Sequence, residues 1–306
     1  MEFILKLLVY LLRFLCIFVS ISFFTLLEEK LICLSHICNG PSYVRIGGVL
    51  QPFRYALGLL SRIILISNKI NLIVFIFSPL LRLIFSILLW SCLPFIRIHI
   101  LINKRFFFFL IVIGLRVFPI LMTGWGSNNK YSTIGRLRGV SQIISYELCF
   151  SFFLLSIVFL LKRLRIKYFL VNLIYLGIIL IFPLFSLVFI MLLAESNRRP
   201  FDFAESPSEL VRGFITEYRG VGFVVLFMRE YLTIIFISIL FIIFFIFIDY
   251  LFFGIIIRLV CFSYIWVRVT VIRLRYDVLI NLNWKYFLLR IIFIYMYIRG
   301  GSLYYI

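Results

Sequence analysis

Charged side chains are scarce in this sequence, and acidic ones scarcer still. Only 14% of its 306 residues are Asp, Glu, Lys or Arg, against about a quarter in ordinary soluble domains. So few charges cannot coat a water-facing surface on a chain of this length, so most of that surface is expected to meet lipid. Histidine is limited to His36 and His99, far apart. The six cysteines (Cys16, Cys33, Cys38, Cys92, Cys149 and Cys261) include no C-x-x-C pair. Neither a thiolate-held metal nor a bis-histidine haem is easily built from that set. The cysteines read as free thiols in apolar packing, and the chain as holding no metal of its own. What is abundant is apolar: 64% hydrophobic residues, 38 of them Phe, and a mean hydropathy of +1.17.

The charges present are lopsided, with 31 Lys and Arg against 12 Asp and Glu, a net +19. The basic residues fall in short clusters between apolar runs. That placement suits loops lying against anionic phospholipid headgroups, not a nucleic-acid partner.

Eight apolar runs are long enough to cross a bilayer as helices: 3–27, 70–95, 105–123, 140–161, 168–193, 221–248, 250–267 and 284–303. The expected fold is therefore an all-α integral membrane protein, with residues 1–306 forming one membrane domain. The first run carries no signal-peptide cleavage site and no Arg- and Ser-rich import pattern, so an organelle protein of this kind is expected to be made inside the organelle. Counted with the span-edge residues Arg105 and Lys285, loops after spans 1, 3, 5 and 7 hold sixteen Lys and Arg, and those after spans 2, 4 and 6 hold seven. The odd loops should face the cytoplasm or its mitochondrial equivalent, the matrix. The basic segment at 162–167 runs against this bias. The odd loops are also the long ones, and short amphipathic surface helices are expected in those after spans 1 and 5. In the latter, Ser206-Pro207-Ser208-Glu209 is a capping box with proline at the first helical position, and Gly213 can end the helix.

The acids are so few that their positions are informative. Six of the twelve, Glu195, Asp202, Glu205, Glu209, Glu217 and Glu230, cluster around the start of span 6, and Glu147 lies two turns inside span 4. A carboxyl inside a span costs several kcal/mol unless paired or hydrated, and such groups usually mark an ion or proton path. The alternative is structural: the same acids neutralise Arg138, Arg198 and Arg229 inside a bundle. The span-interior arginines Arg13, Arg82 and Arg116 are harder to place. Arg13 and Arg116 can snorkel toward a membrane surface, whereas Arg82, near the middle of span 2, needs a partner or water.

The stretch from Ala194-Glu195-Ser196-Asn197-Arg198-Arg199-Pro200-Phe201-Asp202-Phe203 through Glu205, Glu209 and Gly213 to Glu217-Tyr218 closely resembles a signature of one family. That family is the membrane subunit of proton-pumping NADH:ubiquinone oxidoreductase (respiratory complex I) called NADH dehydrogenase subunit 1, together with its bacterial counterpart. Three other blocks resemble it in the same order: Gly40-Pro41 to Gln51-Pro52, Gly124-Trp125-Gly126 to Gln142 and Tyr146-Glu147, and Arg273-Leu274-Arg275-Tyr276-Asp277 with Trp284-Lys285. The resemblance implies an eight-span subunit that helps form the quinone cavity and couples quinone reduction to proton translocation. It implies no redox centre in this chain: ubiquinone is the substrate, and FMN and iron–sulfur clusters belong to partner subunits. The implied partners are the quinone-site subunits of the peripheral arm and neighbouring small membrane subunits. The implied location is the mitochondrial inner membrane, or a bacterial plasma membrane as the alternative.

Carried over residue by residue, the charged channel comprises Glu28, Arg138, Glu147, Glu195, Arg198, Asp202, Glu205, Glu209, Glu217 and Glu230. The quinone's isoprenoid tail would enter beside Gln51, Pro52, Phe53, Phe223, Phe227 and Met228. The bland reading of those aromatics is lipid-facing packing. Departures from the family pattern concentrate in the first loop. Glu29 stands where Arg is usual, Arg54 to Gly58 replaces a segment with an Asp and a Lys, and Arg62-Ile63 replaces Lys-Glu. Either new pairs replace the lost ones or the electrostatics of the site are altered. An ion or proton transporter remains a rival that would require inverted repeats, which the two halves do not obviously show. The related subunit of membrane-bound hydrogenases is a nearer one.

Overall fold

A computed structural model describes residues 2–38, 40, 48–62, 70–93, 105–161, 178–203, 213–215, 217–245 and 250–303. The regular elements among these residues are all helical: α1 (Glu2–Ser35), α2 (Gln51–Leu60), α3 (Leu72–Ser91), α4 (Arg105–Leu115), α5 (Val117–Gly126), α6 (Lys130–Leu161), α7 (Ile178–Glu195), a 3-10 turn (Gly213–Ile215), α8 (Val221–Phe245), α9 (Tyr250–Thr270), α10 (Tyr276–Leu282), a π-helical turn (Asn283–Phe287) and α11 (Leu288–Leu303). Among the described residues, six stretches are long and apolar enough to cross a membrane: Leu72–Ser91, Phe106–Gly126, Lys130–Phe159, Val221–Phe245, Phe253–Thr270 and Tyr276–Tyr297. They correspond to predicted spans 2, 3, 4, 6, 7 and 8. α1, at 34 residues, is about 51 Å long at 1.5 Å per residue, and α7 covers the described part of the predicted fifth span, whose first ten residues lie outside the described residues. The capping box at 206–209 and the basic segment at 162–167 lie outside the described residues.

α8 is the central column. It is buried almost all round, as expected of a helix with no polar face, and it packs against α3, α9, α1, α7 and α2. α6 packs against α5, α7 and α11. Phenylalanine fills the space between these helices: Phe153 meets Phe244 edge-on at 5.7 Å, and Phe185 meets Phe241 at 4.7 Å. Outward-facing apolar side chains are fully presented, with Ile73 86% and Phe293 73% exposed. Such a surface is stable against acyl chains and not against water.

The predicted third span is two helices, because Pro119 falls in the first turn of α5. Its ring has no N–H and collides with the carbonyl four residues back, at Leu115. The chain therefore turns at Arg116, whose N–H bonds to Ile113 O at 3.1 Å. The run also extends to Gly126, beyond the expected end at 123. α6 starts at Lys130, ten residues before the expected 140, because Lys130, Arg136 and Arg138 are good helix formers though not apolar, so hydropathy does not mark them.

Pro79 lies inside α3 and takes the helical partner away from the Phe75 carbonyl. Tyr218 Oη donates to that oxygen at 3.3 Å and shares a hydrogen bond with Ser78 Oγ at 3.0 Å. The Tyr218 ring stacks on Phe75 at 4.1 Å. The last residue of the signature stretch thus repairs the proline defect in another helix.

α3 and α5 touch backbone to backbone at Gly126. A Cβ there would lie 2.9 Å from Phe75 N, and Gly126 O accepts from Asn71 N at 3.1 Å. Gly126→Ala is expected to push these helices apart and cost about 1–3 kcal/mol. Gly254→Ala in α9, where nothing lies within 4 Å, should be neutral or slightly stabilising. Thermal inactivation of the two variants in detergent checks the contrast.

Candidate functional site

Among the described residues, most charged side chains inside the bundle meet in two connected groups. In the first, Arg198 reaches Glu28 of α1 (Nη1 to Oε1, 3.7 Å) and Glu230 of α8 (Nη2 to Oε2, 3.2 Å). Arg268 of α9 closes on the same Glu28 oxygen. All four are largely removed from solvent, Arg268 least so. Desolvating one such charge alone would cost several kcal/mol. Two carboxylates against two guanidinium groups bring the cluster to zero net charge. The local chain explains the placement: α7 ends at Glu195, Asn197 takes a positive φ of 53°, and the chain turns back so that Arg198 points into the bundle. Its guanidinium lies 4.7 Å from the Tyr231 ring centre and 6.0 Å from that of Phe227, within cation–π range.

In the second group, Arg116 at the α4–α5 break pairs with Glu195 at the end of α7. Arg229 and Glu147 lie close enough to act on the same guanidinium. Arg116 is 6% exposed, so it does not snorkel. Proline-forced breakage of the span turns its side chain inward to Glu195. Glu147 Oε1 sits against Gly114, 2.9 Å from where a Cβ would be, so the small residue makes room for the carboxyl. Residues 229 and 230 are consecutive on α8, which joins the two groups through one helix turn.

The signature loop is clamped from both sides. Gln142 Nε2 of α6 donates to Ala194 O and Phe201 O, both at 3.0 Å. Leu274 N donates to Pro200 O at 3.3 Å, and Arg273 donates to Asp202 O. Arg138 lies over the Tyr276 ring at 5.9 Å, and Ser141 bonds the Tyr276 hydroxyl. Glu217 stands apart from both ionic groups, accepting from Asn129 Nδ2 at 3.1 Å. Glu205 and Glu209 lie outside the described residues. Arg82 is buried beside Tyr218 and acts on its hydroxyl.

Next to the first group lies a cavity of about 530 Å³ between α1, α2 and α8, mostly apolar in lining. Pro52, Phe223, Phe227 and Met228 line it, together with Tyr55 and Tyr231. Of the other two residues expected there, Gln51 instead bonds Tyr55 Oη at 2.6 Å and Phe53 packs edge-on against Phe23 at 6.4 Å. Phe227 and Tyr231 therefore both line the cavity and lie within cation–π range of Arg198. Sequence reasoning missed Arg268 and Tyr231. Arg268 counts in the sequence only as a loop charge, although its place directly after an apolar run, in the last turn of α9, was a signal that it could turn inward.

Fold and site together define a multi-span helical membrane protein with a buried, charge-balanced network against an apolar cavity. The sequence matches the family model described as NADH dehydrogenase over residues 7–299. It is 38% identical over 291 residues to NADH-ubiquinone oxidoreductase chain 1 of Aedes aegypti, covering 94% of this chain and 93% of the relative. The chain 1 protein of Locusta migratoria is 38% identical over 282 residues, 91% and 90% of the two chains. That of Mytilus edulis is 33% identical over 276 residues, 89% and 90%. The chain belongs to the NADH dehydrogenase family.

Two outcomes follow. Arg116→Met should leave Glu195 buried and uncompensated and cost about 3–5 kcal/mol, while adding Glu195→Met should recover much of that loss. A double-mutant cycle on thermal stability reads the difference. Burial pushes the Tyr218 hydroxyl, at the loop end, up to about 12, so it stays a donor throughout the physiological range. Its stabilising contribution is complete below the ordinary tyrosine pKa and fades as pH rises through about 12. Tyr218→Phe removes the donor to Phe75 O and is expected to lower stability by about 1–3 kcal/mol, measured by denaturant titration near neutral pH.

Proposed function

We propose that this chain, a membrane subunit of NADH:ubiquinone oxidoreductase in the mitochondrial inner membrane, forms the quinone's way in and the first part of the charged path that couples quinone reduction to proton translocation. The arrangement is that of one eight-span domain, with α1 and α7 completing the set of spans and the loop helices lying on the matrix surface. The observation that carries the reading is the double engagement of Arg198, which touches the cavity walls Phe227 and Tyr231 and the carboxylates of Glu28 and Glu230.

The chemistry follows from that contact. Reducing a quinone to quinol takes two electrons and two protons. The electrons come from partner subunits, and this chain supplies apolar walls for the tail and charges that respond to the headgroup. Negative charge developing near Arg198 draws its guanidinium away from Glu28 and Glu230. Each carboxylate then loses part of the field that keeps it ionised, which favours proton uptake. The disturbance passes along α8 from Glu230 to Arg229, and through Arg116 to Glu195 and Glu147. The Asp202 carbonyl and Glu217 tie the signature loop to Arg273 and Asn129, Arg138 ties α6 to α10 through Tyr276, and Glu205 and Glu209 extend the acidic path from that loop.

Glu230→Gln, in the assembled complex, keeps the shape and removes the titratable group. Quinone-dependent NADH oxidation and the protons moved per electron should both fall. Electron transfer from NADH to an artificial acceptor that bypasses quinone should be unchanged. Normal proton movement in this variant would contradict the coupling role, and loss of the quinone-independent rate would point to failed assembly instead.

A further inference from the structure

The cavity between α1, α2 and α8 carries a charge pattern that a neutral isoprenoid tail does not require. Arg54 and Arg62, of α2 and the turn that follows it, line the cavity with Glu29 of α1. Among the described residues neither arginine is in an ion pair. Two arginines to one acid line this wall, and burial raises the Glu29 carboxyl from its ordinary value. The wall is therefore net positive. The inner end differs: there Arg198 and Arg268 are already engaged by Glu28 and Glu230.

We infer that this cavity binds a single-chain anionic amphiphile, a long-chain fatty-acid carboxylate, with its carboxylate on Arg54 and Arg62 and its acyl chain running inward past Pro52, Phe223 and Phe227. Guanidinium takes a carboxylate through paired N–H donors, a stronger and more directional contact than any neutral headgroup offers. The volume of about 530 Å³ and the mostly apolar lining accommodate an acyl chain, and phosphatidate serves as the two-chain control. The inference rests on the quinone reading for its consequence, since the amphiphile would stand in the quinone's entrance, but not for binding itself.

Binding and competition are measured separately on the purified intact complex. Palmitate should raise the apparent KM for quinone, and palmityl alcohol should need about ten times the concentration for the same effect, the worth of one charge-assisted contact. Arg54→Gln/Arg62→Gln should close that gap. A diazirine-bearing palmitate should label peptides of α1, α2 and α8, and excess palmitate but not phosphatidate should displace it. Equal potency of acid and alcohol, labelling elsewhere, or displacement by phosphatidate as readily as by palmitate would each overturn the inference. If the double variant does not assemble, the acid–alcohol comparison and the label on the unsubstituted complex still decide. Label in the cavity without competition against quinone would leave the amphiphile site standing and sink the quinone reading. A photoreactive quinone that maps here while palmitate does not would do the reverse.

Discussion

The buried contact of Arg198 with Glu28 and Glu230 is the constraint around which the bundle is arranged. A cation held away from water needs compensation from fixed partners, and here it is supplied by two helices far apart in sequence, α1 and α8. Meeting both requires α7 to end at Glu195, the chain to turn at Asn197, and the signature loop to be pinned by Gln142 and Leu274. Removing either carboxylate leaves charge stranded. A network of this kind is therefore sensitive to any event that changes charge beside it, which is what a coupling device needs.

The apolar cavity and the ionic network are neighbours through shared aromatic rings. Phe227 and Tyr231 line the cavity and also lie within cation–π range of the Arg198 guanidinium. A ligand that presses on those rings changes the environment of the cation without touching it. Glu147 and Glu195 lie further along, connected through Arg116.

Much of this was legible in the sequence where hydropathy speaks. The long apolar runs marked the six stretches that can span a membrane. The polar residues in Glu195 to Tyr218 named the family. The resemblance also brought Glu28, Arg198 and Glu230 to attention, but their convergence on one guanidinium is a tertiary fact that no spacing encodes. The break at Arg116 was readable in principle from Pro119, yet hydropathy alone runs straight through it. Arg116 itself was assigned to the membrane surface because its partner Glu195 is 79 residues away. Arg268 escaped for a similar reason: a charge at the end of an apolar run reads as a loop residue until the helix carrying it is packed. The first-loop departures, Glu29, Arg54 and Arg62, raised the question of what replaces lost charges. They line the outer cavity, while Glu28 is held by Arg198 and Arg268.

The central claim is that the cavity between α1, α2 and α8 is the quinone's path and that Arg198 is where the path meets the charged network. A density map of the intact complex with bound quinone tests it most directly. The account predicts the tail between Pro52, Phe223 and Phe227, the headgroup end beyond Tyr231, and Arg198 displaced from Glu28 or Glu230. Quinone density elsewhere, with this cavity filled by lipid and Arg198 still held by both carboxylates, would contradict it.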